Sequence, residues 1–175
     1  MSFEVNYEED LVSRIRDLID GYSKNSILKE YLQNADDSGA TELVVTFDKR
    51  IHQSLNDTKF EAAKEASLLL YNNASFKDKD FKAIVKISAQ AKIEEAGSTG
   101  RFGQGFSSSF SVSDHPSFVS SGKAYWFDVL KTAVSKDEEM SIQGWNLEDD
   151  KEDISDWLKT FNIDGYQSGT FFRLP

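Results

Sequence analysis

Apolar and polar residues recur with two different periods along this chain, and the two periods predict both helices and strands. Apolar residues within 11–19 recur at helical spacing, which predicts a first amphipathic helix. A second helix is expected to begin at Asn25 or Ser26 and to end near Gly39, because serine and asparagine cap helix starts and glycine suits a helix end. A third helix is expected over residues 80–89.

Short runs rich in β-branched and aromatic residues predict strands between these helices. The predicted strands are 43–47, 67–71, 117–120, 124–130 and 170–174. Residues 49–58 are predicted to form a polar loop, and residues 92–99 have the small and charged composition of another. Because helical and strand patterns alternate, the sequence favours an α/β or α+β sandwich over a helical bundle.

Length and charge limit the classes of protein to which this chain can belong. The chain has 175 residues, of which 39% are hydrophobic, so we expect one domain over residues 1–175 with a single sizeable core. The formal charge of −10 and the dispersed lysines and arginines argue against nucleic acid or an anionic membrane as a partner. The chain stops inside or just after its last predicted strand, and we therefore expect a domain excised from a longer protein.

Features that the sequence lacks also indicate the cellular compartment. There is no cysteine, which excludes a disulfide framework and a thiolate zinc site. The acidic start of the chain does not fit a signal peptide, and no apolar run approaches about 18 residues, the minimum for a membrane-spanning helix. These features predict a cytoplasmic, intracellular location.

The second predicted helix carries a row of polar side chains. At about 100° per residue, Glu30, Asn34 and Asp37 fall within an arc of about 60°. Burying such a row is costly unless a ligand, a metal or water satisfies it, so the row indicates a functional site. A solvated polar face is the alternative interpretation. The neighbouring side of the helix is expected to pack against the core through Ile27, Leu28, Tyr31, Leu32 and Ala35.

A glycine-rich segment follows about seventy residues later. Residues 100–106 read Gly-x-x-Gly-x-Gly-Phe and precede serines that can open a short helix. Glycines allow backbone N–H groups to converge on an anion, so the segment is suited to binding phosphate. It is neither the dinucleotide fingerprint, whose glycines come in another order, nor a P-loop, which requires Gly-Lys-Ser/Thr.

Together, these motifs resemble the GHKL ATPases, which include gyrase B, the heat-shock-protein-ninety chaperones, histidine kinases and MutL. Within that superfamily the chain is most similar to the ATPase-like domains of sacsin and its relatives. The resemblance implies a two-layer α+β sandwich of the Bergerat type, in which helices cover one face of a mixed sheet. The passages that carry it are 28–41, 70–76, 100–106 and 168–175.

The resemblance also implies ATP or ADP with Mg²⁺ as ligands. Glu30 matches the family's general base, which prepares the attacking water, and Asn34 matches the ligand of Mg²⁺. Asp37 lies one turn further along the same face and is assigned to the nucleotide site, and Thr170 resembles the threonine near adenine. The expected nucleotide lid contains Gly100, Arg101, Phe102, Gly103, Gly105 and Phe106, whose glycines match those of the family.

One passage departs from the superfamily. Most members have Asp-x-Gly-x-Gly, whose aspartate accepts a hydrogen bond from the adenine amino group. This chain has Asn72 and Asn73 there, followed by Ala74 and Ser75. An asparagine oxygen can accept the same bond, but the amide can equally present a donor. Asn72 and Asn73 are both assigned to the nucleotide site, and one of the two amides is expected to face the base, with Asn72 as the nearer equivalent of the aspartate.

Three functions follow as alternatives. The first is a slow Mg²⁺-dependent ATPase domain of a chaperone-type protein, which hydrolyses ATP to ADP and phosphate. The second is a nucleotide-binding switch without hydrolysis. The third is an interaction module that has lost the nucleotide. Client or partner proteins are expected in each case, whereas the sequence does not predict an oligomeric state.

Overall fold

A computed structural model describes residues 3–6, 26–53, 55, 58–89, 106–128, 140–162 and 168–175 of the chain. The strands are β1 (Phe3–Asn6), β2 (Leu43–Asp48), β3 (Ser67–Asn72), β4 (Ser117–Ser120), β5 (Lys123–Phe127), β6 (Met140–Asn146) and β7 (Thr170–Leu174). The α-helices are α1 (Ile27–Asp37), α2 (Asp78–Ala89) and the single turn α3 (Ser155–Leu158). Short 3₁₀ helices cover Thr58–Lys64, Ser108–Ser111 and Lys159–Phe161. No helix within the described ranges is long and apolar enough to cross a membrane.

The seven strands form one sheet in the order β1-β6-β5-β4-β7-β3-β2. Every neighbouring pair is antiparallel. The prediction of a mixed sheet was therefore wrong, whereas the prediction of an α+β domain is confirmed. In the centre of the sheet, β7 pairs with β3 on one side and with β4 on the other, so that Thr170 lies between Asn72 and Ser120.

One face of the sheet packs against α1, α2 and residues 106–111. Successive side chains of a strand point to opposite faces, so every second residue of each strand contributes to this layer. Its core is largely aromatic and includes Tyr31 of α1, Phe81 of α2, and Phe106. The strand residues packed there are Leu70, Phe118, Tyr125, Phe127, Ile142, Phe172 and Leu174.

The opposite face is also covered, which corrects the predicted two-layer arrangement with helices on one face. The alternate strand residues, such as Tyr71 and Phe171, belong to a second buried cluster. Short helical turns over 58–64 and 155–161 cover this cluster. In its centre, the rings of Phe60 and Trp157 are stacked, with centroids 4.7 Å apart and planes inclined by 2°.

A buried arginine joins this second layer to the central strand. Arg173 of β7 is fully buried, and its Nε donates to Thr160 Oγ1 over 2.9 Å. The guanidinium also donates to the Glu65 carbonyl oxygen over 3.0 Å, to the Ala63 carbonyl oxygen and to Ser67 Oγ. Burial lowers the pKa of Arg173 to about 10, which leaves it charged at neutral pH. The guanidinium of Arg173 therefore links β7 to β3 and to the helical turns that cover the second cluster.

Helix α1 follows its predicted limits but buries a narrower face than expected. Ile27, Tyr31 and Ala35 are buried, as predicted. Leu28 and Leu32 were predicted to pack as well, but they are 49% and 59% exposed. The apolar stripe that reaches the core is thus limited to positions spaced by four residues. The predicted first helix over 11–19 lies outside the described residues.

The second layer generates a stability prediction. Trp157→Ala removes a fully buried indole that stacks on Phe60, and large-to-small core changes of this kind cost about 3–5 kcal/mol. Urea unfolding followed by circular dichroism measures this loss. The matched control is Lys159→Ala in the adjacent turn, which removes only an exposed ion pair with Asp156 and should cost less than about 1 kcal/mol. Equal losses for the two variants would show that the second layer does not stabilise the fold.

Candidate functional site

Helix α1 is held over the centre of the sheet by Tyr31. The Tyr31 ring meets the ring of Phe172 edge-on, with centroids 4.8 Å apart. Its hydroxyl group lies 2.7 Å from Ser109 Oγ, and both residues are buried. Burial raises the pKa of Tyr31, so the phenol stays protonated. Tyr31 thereby ties α1 both to β7 and to the 3₁₀ helix that follows the glycine-rich segment.

The polar residues of α1 differ in their exposure. Asn34 is only 9% exposed. Glu30, one turn earlier on the same face, is half-buried, whereas Asp37 is exposed. The row thus runs from a half-buried carboxylate through a buried carboxamide to an exposed carboxylate at its open end.

The turn after α1 is built by Gly39 and Asn73. Gly39 has φ +78°, and its N–H donates to the Asp36 carbonyl oxygen over 2.9 Å, which ends the helix as predicted. Asn73 Oδ1 accepts from the backbone N–H of Thr41 over 2.9 Å, and its Nδ2 donates to Thr41 Oγ1 over 2.8 Å. Both ends of the Asn73 amide are thus engaged by this turn, so its role in the structure is to connect β3 to β2.

Asn72 and Thr170 lie side by side where β3 ends and β7 begins. Thr170 Oγ1 donates to the Ala74 carbonyl oxygen over 2.7 Å and lies 2.8 Å from Ser120 Oγ. Ser120 Oγ also accepts from the backbone N–H of Phe76 over 2.9 Å. These bonds hold residues 72–76 against the sheet. Asn72 is 5% exposed and projects to the same face as Phe172, on which α1 packs.

Gly169 permits this close arrangement. Its φ of +127° is adopted almost only by glycine. An added Cβ atom would lie 2.4 Å from the Asn72 carbonyl oxygen and 2.5 Å from Cε2 of Tyr71. The glycine of the Gly-Thr pair is therefore required by packing at the start of β7. The resemblance separately assigns the threonine to the adenine site.

The predicted lid is mostly outside the described residues. Gly100, Arg101, Phe102, Gly103 and Gly105 fall in this part of the chain. Phe106 is described, and its ring is buried in the core, 4.9 Å from the ring of Phe127. Its side chain is therefore committed to packing in the core.

Comparison with known proteins places the chain in a family. The model of the Sacsin domain matches residues 8–175. The chain belongs to the Sacsin domain family. It is 33% identical to human Sacsin over 181 aligned residues, which cover 94% of this chain but only 4% of that protein. This Sacsin domain thus corresponds to a small part of its relative.

Sequence reasoning located the polar row of α1 but missed residues that hold α1 and the end of β3 in place. Ser109, Ser120 and Gly169 were not singled out, because isolated serines and glycines occur in many loops. The signal that could have identified Gly169 is its place directly before Thr170 in the last motif. The partners of the serines lie 78 and 50 residues away in sequence, and no local pattern indicates them.

Two glycines with positive φ provide a matched test of the packing at the site. Gly39→Ala adds a methyl group in open space and should cost about 1–2 kcal/mol, from backbone strain alone. Gly169→Ala adds a larger backbone strain, because φ +127° is adopted almost only by glycine, and it also clashes with Asn72 and Tyr71, so it should cost at least about 3 kcal/mol. Thermal and urea unfolding of both variants measure the difference. If Gly169→Ala were as stable as Gly39→Ala, the close approach of β3 and β7 at this point would be wrong.

Proposed function

We propose that this Sacsin domain binds a purine nucleotide, with ATP as the reference ligand, together with Mg²⁺, and hydrolyses ATP slowly. The observation that carries the proposal is the position of Asn34, which is 9% exposed and lies one turn after half-buried Glu30 on the same face of α1. Carboxamide and carboxylate oxygens placed together on one helix face are groups suited to hold a metal ion and its water. Family membership supports the same assignment, since the matched residues contain the whole α1 motif.

The chemistry of the side chains fits these roles. The Asn34 oxygen is a hard ligand of the kind that Mg²⁺ accepts, alongside water and phosphate oxygens. The bound ion would supply positive charge against the phosphates. Glu30, on the same face, would accept a proton from water or orient it as general base. Asp37 is exposed at the end of the row, where it could reach the ligand only through water or the ion.

The proposed arrangement corresponds to a Bergerat-type site. It is supported by the packing of α1 and α2 on one face of the sheet and by the order of the motifs along the chain, whereas the wholly antiparallel sheet departs from the type. The glycines at 100, 103 and 105 would bind the phosphates, and Thr170 and Asn72 would lie near the base. Protein clients and a cytoplasmic location remain predictions that accompany this proposal.

A nucleotide-binding switch is the second candidate, and the Tyr31–Ser109 contact favours it. This hydrogen bond of 2.7 Å joins α1 to the segment directly after the glycine-rich residues. A change at the phosphates could therefore be transmitted to α1 whether or not ATP is cleaved. The two candidates differ only in the chemical step, so phosphate release by the unmodified chain distinguishes them.

Glu30→Gln should separate turnover from binding. The substitution keeps the size of the side chain but removes the base, so phosphate release should fall by about 10²–10⁴-fold. Nucleotide affinity should stay constant or rise, because one negative charge near the phosphates is lost. Steady-state phosphate release and calorimetry with Mg·ATP measure both quantities. Asp36→Asn is the control, since it removes the same charge from an exposed position on the same helix.

Each outcome of that experiment decides between the candidates. Unchanged turnover in Glu30→Gln would exclude Glu30 from the mechanism. Binding of Mg·ATP without phosphate release by the unmodified chain would favour the switch. If the folded chain binds neither Mg·ATP nor Mg·ADP at millimolar concentration, the proposal fails and an interaction module becomes the better account.

A further inference from the structure

The orientation of the Asn72 amide is determined by its own loop. Its Oδ1 accepts a hydrogen bond from the backbone N–H of Ala74 over 3.0 Å. An N–H group cannot donate to an amide NH₂, so Oδ1 and Nδ2 cannot exchange places without losing this bond. Such a side-chain turn is common for asparagine at a strand end. The NH₂ group is consequently the end that remains for other contacts.

The Nδ2 group of Asn72 takes no part in this bond, and the residue is 5% exposed. The neighbouring polar groups are already engaged, because Asn73 binds Thr41 and the Thr170 hydroxyl donates to the Ala74 carbonyl oxygen. Nδ2 is therefore the donor that Asn72 can offer to an acceptor on a ligand or a water molecule.

We infer that Asn72 donates a hydrogen bond to the base, and that this domain therefore does not select the 6-amino group of adenine. This inference rests on the nucleotide site proposed above. An aspartate would present a second oxygen, which accepts from an amino group, whereas Asn72 presents a donor, which needs an acceptor. Adenine offers its ring N1 for this purpose, and 6-oxo purines offer O6. The ligand class is thus purine nucleotides in general, with 6-oxo purines bound at least as tightly as adenine.

The pair ATP and ITP tests this inference directly. ITP carries a 6-oxo group where ATP carries its 6-amino group, and it lacks the 2-amino group that complicates a comparison with GTP. Calorimetry of the whole chain with Mg·ATP and Mg·ITP should give a Kd for ITP equal to or lower than the Kd for ATP.

Asn72→Asp should reverse this preference. One carboxylate oxygen would keep the bond to the Ala74 N–H, and the other would accept from the 6-amino group, so ATP should gain at least about tenfold over ITP. Asn73→Asp is the matched control, because it adds the same charge one residue away, on a side chain that contacts Thr41. It should leave the ratio of the two dissociation constants unchanged.

Three results would overturn the inference. The first is tenfold or tighter binding of ATP over ITP by the unmodified chain. The second is a ratio that stays constant in Asn72→Asp while circular dichroism shows native folding, and the third is an equal shift in Asn73→Asp. In these cases both nucleotides still bind, so the proposed function survives. Failure of both nucleotides to bind the folded chain would instead remove the proposed function and the inference together.

Discussion

Strand β7 imposes the constraint on which the rest of the structure depends, because it is buried on both faces and at both edges. All five of its side chains are buried, and it pairs with β3 and β4 over its length. Thr170 and Phe172 face the layer of α1, whereas Phe171 and Arg173 face the second layer. Each polar group on this strand must therefore find a partner inside the protein.

Arg173 meets that requirement in an unusual way. Within the described part of the chain, the guanidinium has no carboxylate among its hydrogen-bond acceptors and donates instead to four oxygens of neutral groups. Bonds from a charged donor are stronger than those between neutral groups, which offsets part of the desolvation cost. The second layer is thus held to β7 by directional bonds as well as by the Trp157 cluster. On the other face, Phe172 positions Tyr31, and through it the row of Glu30 and Asn34.

Much of the fold could be predicted from local patterns. Strands β4 and β7 were predicted to their exact residues, β2 and β3 to within one residue, and α1 to within two residues at each end. The missed strands are β1, which is short, and β6, where Gly144 interrupts the alternation of apolar residues. Neither the second layer nor the burial of Arg173 could be predicted, since an arginine in a strand ordinarily indicates solvent exposure. Such burial depends on oxygens contributed by distant segments.

In the candidate site as well, local features could be predicted, whereas features that depend on distant segments could not. Helical spacing correctly placed Glu30 and Asn34 on one face, because the period of a helix is a local property. The spacing did not show that Leu28 and Leu32 are exposed, or that Asn73 binds the turn before β2. Those facts depend on how α1 and β3 are placed relative to the rest of the sheet. The orientation of the Asn72 amide likewise depends on one hydrogen bond, from the Ala74 N–H to Asn72, that only the folded loop defines.

The central claim is that the buried Asn34 carboxamide binds a nucleotide through Mg²⁺. Calorimetric titration of a non-hydrolysable ATP analogue tests it most directly, with and without Mg²⁺, on the unmodified chain and on Asn34→Ala. We predict that Mg²⁺ strengthens binding to the unmodified chain at least about tenfold, and that Asn34→Ala abolishes this dependence while it retains the folded circular dichroism spectrum. Binding with the same Mg²⁺ dependence in Asn34→Ala would contradict the claim.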